Sequence, residues 1–304
     1  MAPRLIDPRI KLRHIACFIE VARLKSVGNA AEALNISQPA ASKTIQELEE
    51  ILGVVLFDRS RRNLFLTPQG ELFQTYAGTS ITALRQGIAS LHQAEGDTVI
   101  KVGALPTVSA RVLPRAVEKF SAQGLPARTR IITGPNAYLL SMLRVGDVDL
   151  VIGRMADPDA IAGLTFEYLY AEQIVFVVRP GHPLLKAKNF DMSMIEDFQL
   201  LMPPPGSVIR PIVERMLTAH GVTRLRDEVE TVSDAFGRSF VRLSDAIWII
   251  SQGVVTEDVT AEHLALLPVD TAETLGPVGL TTRTDLPLSP VAQALVQAIR
   301  EAVV

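Results

Sequence analysis

The stretch Ser26 to Leu52, SVGNAAEALNISQPAASKTIQELEEIL, constrains this chain more than any other. Val27, Ala30, Ala31 and Leu34 recur at helical spacing, which gives a short helix one apolar face. Asn35-Ile36 breaks the pattern. Ser37 then stands where it can cap a second helix, and Pro39 in its first turn removes no intrahelical hydrogen bond. That second helix buries Ala41, Ile45, Leu48 and Leu52. Its other face presents Gln38, Pro39, Ser42, Lys43 and Gln46, with the small Ala40 among them. An ordinary solvated face is rich in Glu and Lys; short amides and hydroxyls with one cation suit base edges and phosphates in a major groove. Two short helices joined by a tight turn, the second with a small polar outer face, describe a helix-turn-helix. The competing reading is a buried helical hairpin with a polar outer face.

Charge is distributed to match. The chain of 304 residues has a net charge of −3, which argues against nucleic-acid binding over its whole surface. Residues 1–62, however, hold ten Lys/Arg against seven Asp/Glu, a local +3, so the remainder carries −6. A mildly basic head on an acidic body fits local DNA contact. The length implies more than one domain, and 48% hydrophobic residues suffice for folded cores. The single Cys17 excludes an internal disulfide and reads as a small core residue. Met1 to Phe18 is interrupted by charges and prolines, unlike a signal peptide, and no apolar run is long enough to span a bilayer. The expectation is a cytoplasmic protein with no membrane partner.

Residues 1–10, with Pro3 and Pro8, read as a polar arm. A helix follows that buries Ile15, Phe18, Ile19 and Ala22 and braces the helix pair. After Gly53, the runs Val54–Phe57 and Leu64–Leu66 flank DRSRRN, which predicts a β-hairpin wing with a cationic tip. Arg61 and Arg62 are its candidate phosphate or minor-groove contacts, whereas Arg59 fits a structural role. From Thr67-Pro68 a helix is predicted to about Ala94. Its Ala77, Ile81, Leu84, Ile88 and Leu91 alternate spacings of four and three, a seam that needs a partner helix or the rest of its own chain.

The run from about Leu12 to Gly70, with Leu56-Phe57-Asp58-Arg59 and Leu66-Thr67-Pro68-Gln69-Gly70 in place, resembles the N-terminal signature of LysR-type transcriptional regulators. Gly146–Gly153 and the turn Arg179-Pro180-Gly181-His182-Pro183-Leu184 are similar to landmarks of the family's second half. The resemblance implies an N-terminal all-α winged helix-turn-helix over residues 1–70 and a dimerising linker helix over 71–94. It implies a C-terminal α/β domain over 95–304, like a periplasmic binding protein. Subdomain I would take about 95–170 and 271–304, and subdomain II about 171–270. Partners implied are double-stranded promoter or operator DNA, a small carboxylated effector and further copies in a homodimer or homotetramer, with RNA polymerase a further candidate.

The residues themselves agree on an α/β second half. Strands are expected at Thr98–Gly103, Arg128–Thr133, Leu150–Gly153, Ile174–Val178, Leu200-Leu201, Val229–Val232, Ala246–Ile250 and Val278–Thr282. Helices are expected at Leu113–Gln123, Tyr138–Val145, Ile209–His220, Ala235–Leu243 and Pro290–Val303. That alternation predicts largely parallel sheets. In such sheets, ligands gather at the carboxyl ends of strands, where helix N-termini offer amides. Thr107 and Ser109 follow the first strand, Asn136 the second and Arg154 the third; Gly206, Ser207 and Val208 follow a strand of the other subdomain. Arg154 and Arg210 are candidate carboxylate partners; the competing role for each Ser or Thr is an ordinary helix cap, and for these two arginines a surface ion pair.

The five histidines, at 14, 92, 182, 220 and 263, show no metal-ligand spacing, and there is no phosphate-binding glycine loop or nucleophile elbow. Neither a metal, nor another cofactor, nor catalysis is expected. The reading is a DNA-binding transcriptional regulator. Within the family it most resembles regulators of aromatic-acid degradation, in particular the protocatechuate branch, whose inducers are carboxylated ring-cleavage products. The alternatives are a solute-binding protein, which lacks a use for the DNA head, and a regulator of an unrelated pathway.

Overall fold

The structure is a computed structural model describing residues 7–58, 64–91, 98–222, 225 and 227–303. Its helices and strands follow in chain order. The first are α1 (Leu12–Leu24), α2 (Val27–Ala33), α3 (Gln38–Leu52), β1 (Phe57–Asp58), β2 (Phe65–Leu66) and α4 (Pro68–Leu91). Next come β3 (Thr98–Ala104), α5 (Pro106–Arg111), α6 (Leu113–Ser121), β4 (Ala127–Thr133), α7 (Asn136–Arg144), β5 (Leu150–Arg154) and β6 (Leu164–Glu172). Then follow β7 (Ile174–Val178), β8 (Leu200–Met202), α8 (Arg210–Ala219), β9 (Glu228–Glu230), α9 (Asp234–Leu243), β10 (Ile247–Ser251) and α10 (Gln252–Thr260). Last are β11 (Ala265–Leu266), β12 (Gly276–Arg283) and α11 (Pro290–Val303). They form two compact units, residues 1–96 with 141–147 and residues 97–140 with 148–304.

In the first unit the capping residues act as the sequence requires. Ser26 Oγ accepts from Asn29 N at 3.3 Å and Ser37 Oγ from Ala40 N at 3.3 Å, so each helix gains a partner for an amide its own turns cannot satisfy. Between them Asn35 adopts φ +54°, a left-handed conformation that Asn tolerates better than most side chains. Cys17, Phe18, Ala30, Ala31, Ala41, Ile45 and Leu48 close one core with Leu56 and Phe57. Phe18 meets the rings of Phe57 at 5.3 Å and Phe73 at 5.0 Å. The predicted seam on α4 divides: Ala77 and Ile81 are buried in this same core, whereas Leu84 and Ile88 on the continuing face are exposed.

The second unit holds two five-stranded sheets, in orders β4-β3-β5-β12-β6 and β11-β7-β10-β8-β9. Each is mixed, which corrects the expectation of largely parallel sheets. Strands β4, β3 and β5 run parallel, but β12 pairs antiparallel with both β5 and β6. Likewise β9, β8 and β10 are parallel, while β7 is antiparallel to β10 and β11. The chain leaves the first sheet at Gln173 and returns to it as β12, so the returning strand enters from the opposite end. Strands β3, β5 and β12 pack against α5, α6 and α11. The second sheet is covered on two sides, with Trp248 buried in one of its cores, as its apolar strand suggested. His182 is also buried, with Nε2 3.1 Å from Asp245 O and Nδ1 accepting from Leu184 N at 3.2 Å, which makes it a turn-holding residue.

Candidate DNA face and effector crevice

Helix α3 is amphipathic in the sense its sequence demands. Gln38, Pro39, Ala40, Lys43 and Gln46 are exposed and Ser42 is half-buried, opposite the buried Ala41, Ile45 and Leu48. The Lys43 ammonium lies 4.0 Å from Glu47 Oε1 across one turn. That exposed contact is weak, and the lysine stays available for a phosphate. Glu47 also approaches Arg13 Nη2 at 3.4 Å and His14 Nε2 at 3.3 Å. Strands β1 and β2 pair antiparallel, Phe57 against Leu66 and Asp58 against Phe65, so a hairpin wing is present. Its tip, with Arg59, Arg61 and Arg62, lies outside the described residues. Glu49 anchors the wing to α3: its Oε1 accepts from Leu56 N at 2.7 Å and Phe57 N at 3.2 Å. Sequence inspection missed this role, because a glutamate in a helix reads as solvated.

In the second unit, Thr107, Asn136 and Arg154 lie at the carboxyl ends of the adjacent parallel strands β3, β4 and β5. Thr107, in the first turn of α5, is buried, and its Oγ1 makes no hydrogen bond to the protein. Asn136, the first residue of α7, is buried too. Ser109 behaves as an ordinary helix residue, its Oγ donating to Leu105 O at 3.0 Å. Arg154 is likewise not a free carboxylate partner. Its buried guanidinium donates from Nη1 to Glu172 O at 3.1 Å and from Nη2 to Thr274 O, tying β5 to the segments where the chain crosses between sheets. Burial lowers its pKa, and Glu172 opposes that shift. Beyond β8, Gly206 takes φ +83°, while Ser207 and Val208 are half-buried. Ser207 N donates to Pro204 O at 3.1 Å, which folds this loop back before α8. Arg210 is held by Glu214, Glu228 and Glu230 at 2.6, 2.7 and 2.9 Å and so forms an ion-pair network.

A further group at this junction went unseen in the sequence. Glu172, at the end of β6, is buried, with Oε1 accepting from Gly253 N at 2.8 Å. Burial pushes its carboxyl above the ordinary range, against the pull of that bond and of Arg111 and Arg154. A Cβ on Gly253 would lie 2.2 Å from Glu172 Oε1 and 3.4 Å from Thr107 O, so only glycine lets α10, which follows the second sheet's β10, start this close to these two segments of the first. Ser251 Oγ, at the end of β10, is buried without a protein partner, like Thr107 Oγ1. Hydroxyls in this state, at strand ends, suit a polar ligand that supplies the missing partner.

Among the described residues there is no His, Cys, Asp and Glu grouping that would hold a metal ion, and no helix long and apolar enough to cross a membrane. Residues 12–71 match the bacterial regulatory helix-turn-helix protein, lysR family, and residues 93–304 match the LysR substrate binding domain. The chain is 52% identical over 300 residues to the HTH-type transcriptional regulator PcaQ of Agrobacterium fabrum, covering 98% of this chain and 96% of the relative. It is 36% identical to the uncharacterized HTH-type transcriptional regulator YdcI of Escherichia coli, covering 98% and 97%. In fold it resembles full-length LysG of Corynebacterium glutamicum with bound effector Arg, at TM-score 0.63, 19% identity and coverage of 97% and 98%. It also resembles ArgP of Mycobacterium tuberculosis, at TM-score 0.66, 16% identity and coverage of 99% and 98%.

Proposed function

The chain belongs to the LysR family of DNA-binding transcriptional regulators, and on that premise we propose that it controls an aromatic-acid catabolic operon in response to a carboxylated ring-cleavage product. The 52% identity to PcaQ over nearly the whole chain supports the branch. In this reading Gln38, Pro39, Ala40, Ser42, Lys43 and Gln46 meet the operator's major groove, and Arg61 and Arg62 meet its backbone beside it. The exposed Leu84 and Ile88 pair two chains into a homodimer, which further pairing extends to a homotetramer.

The effector lies at the carboxyl ends of the strands, its carboxylate taken by the Thr107 hydroxyl and the amides around Ser207, with Asn136, Gly206 and Val208 beside it. The observation that carries this is the buried Thr107 Oγ1, which has no protein partner at the head of α5. A hydrogen bond to a charged ligand contributes about 1.5–3 kcal/mol, so Thr107→Val should weaken the effector roughly ten- to a hundredfold. The test is calorimetry of the full chain with protocatechuate and its ring-cleavage acids, paired with mobility shift of its own upstream DNA. Equal affinity in parent and Thr107→Val removes the crevice assignment. An absence of any response to these acids, with DNA binding intact, removes the aromatic branch alone.

A further inference from the structure

On the second unit, a cavity of about 580 Å³ opens where α5 and α6 face α9 and α10. Arg111 and Arg115 line one wall, Arg238, Asp258 and His263 the other, and the main chain at Gly253 lies between them. Arg111 ends α5, Arg115 is in the first turn of α6, and the intervening Val112 keeps φ −90° and ψ −47°. Right-handed helical backbone therefore runs through, and two side chains four residues apart share a face. Both arginines are exposed, and neither makes an ion pair among the described residues. The Arg111 guanidinium lies 5.5 Å from the centroid of the Tyr170 ring, which orients it while leaving its N–H groups free to donate.

The charges of the opposite wall balance, with Arg238 and Arg242 against Asp258 and Glu257. Asp258 accepts from Arg238 Nε at 2.7 Å and, through its other oxygen, from Arg242, so one carboxylate serves two guanidiniums. Arg238 is fixed further by its bond to Val254 O. Glu257 is the other acid on the lining, and it is exposed. Two guanidiniums without an ion pair among the described residues thus look from one helix face across a small-molecule-sized cavity at a wall whose charges balance, so the cavity's excess positive charge is theirs. Planar, permanently charged forks are the side chains best suited to carboxylate and phosphate oxygens.

We propose that this cavity is a second ligand site, selective for a small dianion bridged between Arg111 and Arg115 on one lobe and Arg238 on the other. It adjoins the crevice at Thr107 through the main chain at Gly253, but its arginines do not depend on that assignment. Because α6 belongs to the first sheet's lobe and α10 to the second, an anion held by both walls favours one setting of the lobes over others. A ligand of that kind modulates the response to the effector through differential affinity for the two settings.

The experiment titrates the full chain with succinate, with inorganic phosphate and with acetate, at constant ionic strength, by calorimetry. The expected result is saturable binding of at least one dianion and acetate weaker by at least tenfold. Succinate and phosphate separate a dicarboxylate preference from a phosphate one. Arg115→Gln should weaken the dianion roughly tenfold, Arg115→Lys less, and Thr107→Val by no more than about twofold. Arg115 is exposed, so its variants leave the folded core alone. The proposal is overturned if no dianion binds, if acetate matches the dianions, if Arg115→Gln binds as the parent does, or if Thr107→Val abolishes the signal.

Discussion

Removing the Glu49 carboxylate tests how the wing is held to the recognition helix. Its Oε1 accepts two main-chain amides, Leu56 N at 2.7 Å and Phe57 N at 3.2 Å, in residues that are themselves buried. A hydrogen bond to a charged group contributes about 1.5–3 kcal/mol. The two bonds share one oxygen on a half-buried carboxylate, so the sum falls short of additivity, and about 2–4 kcal/mol is expected for Glu49→Ala. Glu49→Gln keeps a neutral acceptor and should lose about 1–2 kcal/mol. Hydrogen exchange reads this directly. In Glu49→Ala the Leu56 and Phe57 amides should lose roughly thirty- to a thousandfold of their protection, and Glu49→Gln should lie between. On the proposed contact of the wing with DNA, operator affinity should fall in the same order. Unchanged protection at both amides, or loss equal in the two variants, would refute the argument.

Three further outcomes follow from close packing and charge. Gly237→Ala would put a Cβ 2.6 Å from the Trp248 ring, an overpacking that should cost about 1–3 kcal/mol in chemical denaturation; a neutral result would mean that α9 can shift freely. The Glu172 carboxyl is raised in the folded state, so its contribution to stability is fully present below the ordinary carboxylate range and is lost as pH rises through the raised value. Glu172→Gln, neutral at every pH, should therefore gain melting temperature relative to the parent as pH rises above the ordinary carboxylate range, and a constant difference would exclude the linkage. Leu84→Glu with Ile88→Glu forces charges into the exposed continuation of the α4 seam and should reduce the assembly to monomers in light scattering; the parental mass with an intact fold would rule out pairing through these residues.

The head was legible because its information is local. Ser26, Ser37 and Asn35 act within three or four residues of their own position, and the faces of α1, α2 and α3 follow one helical period. The seam on α4 shows where periodicity stops being enough. Ala77, Ile81, Leu84 and Ile88 share a stripe, yet the first two complete their own unit's core and the last two do not. Spacing gives the face of a helix; what covers each turn of it depends on how far the rest of the unit extends. Strand β6 was missed for a related reason. In LTFEYLYAE neither face is fully buried, so its alternation is blurred, and α10 (QGVVTEDVT) is too rich in β-branched residues to announce a helix.

The crevice was half legible, and the division has a physical basis. Thr107, Asn136 and Ser207 could be placed at strand ends because the order strand, short polar loop, helix is legible in the chain alone. What could not be read is which polar groups other segments had already claimed. Arg154 stands in the same kind of position as Thr107, but its donors meet carbonyls of Glu172 and Thr274, 18 and 120 residues away. Glu172 shows the converse. It follows an unremarkable strand, and only the arrival of Gly253, 81 residues later, turns it into the buried acid at the crossing between sheets. Arginine is drawn toward carbonyls wherever the chain crosses, since its fork satisfies several at once, whereas a single hydroxyl left buried at a helix head has no such alternative. Free donors at strand ends are therefore found by subtraction, after every long-range bond is known, and that subtraction leaves Thr107 and removes Arg154.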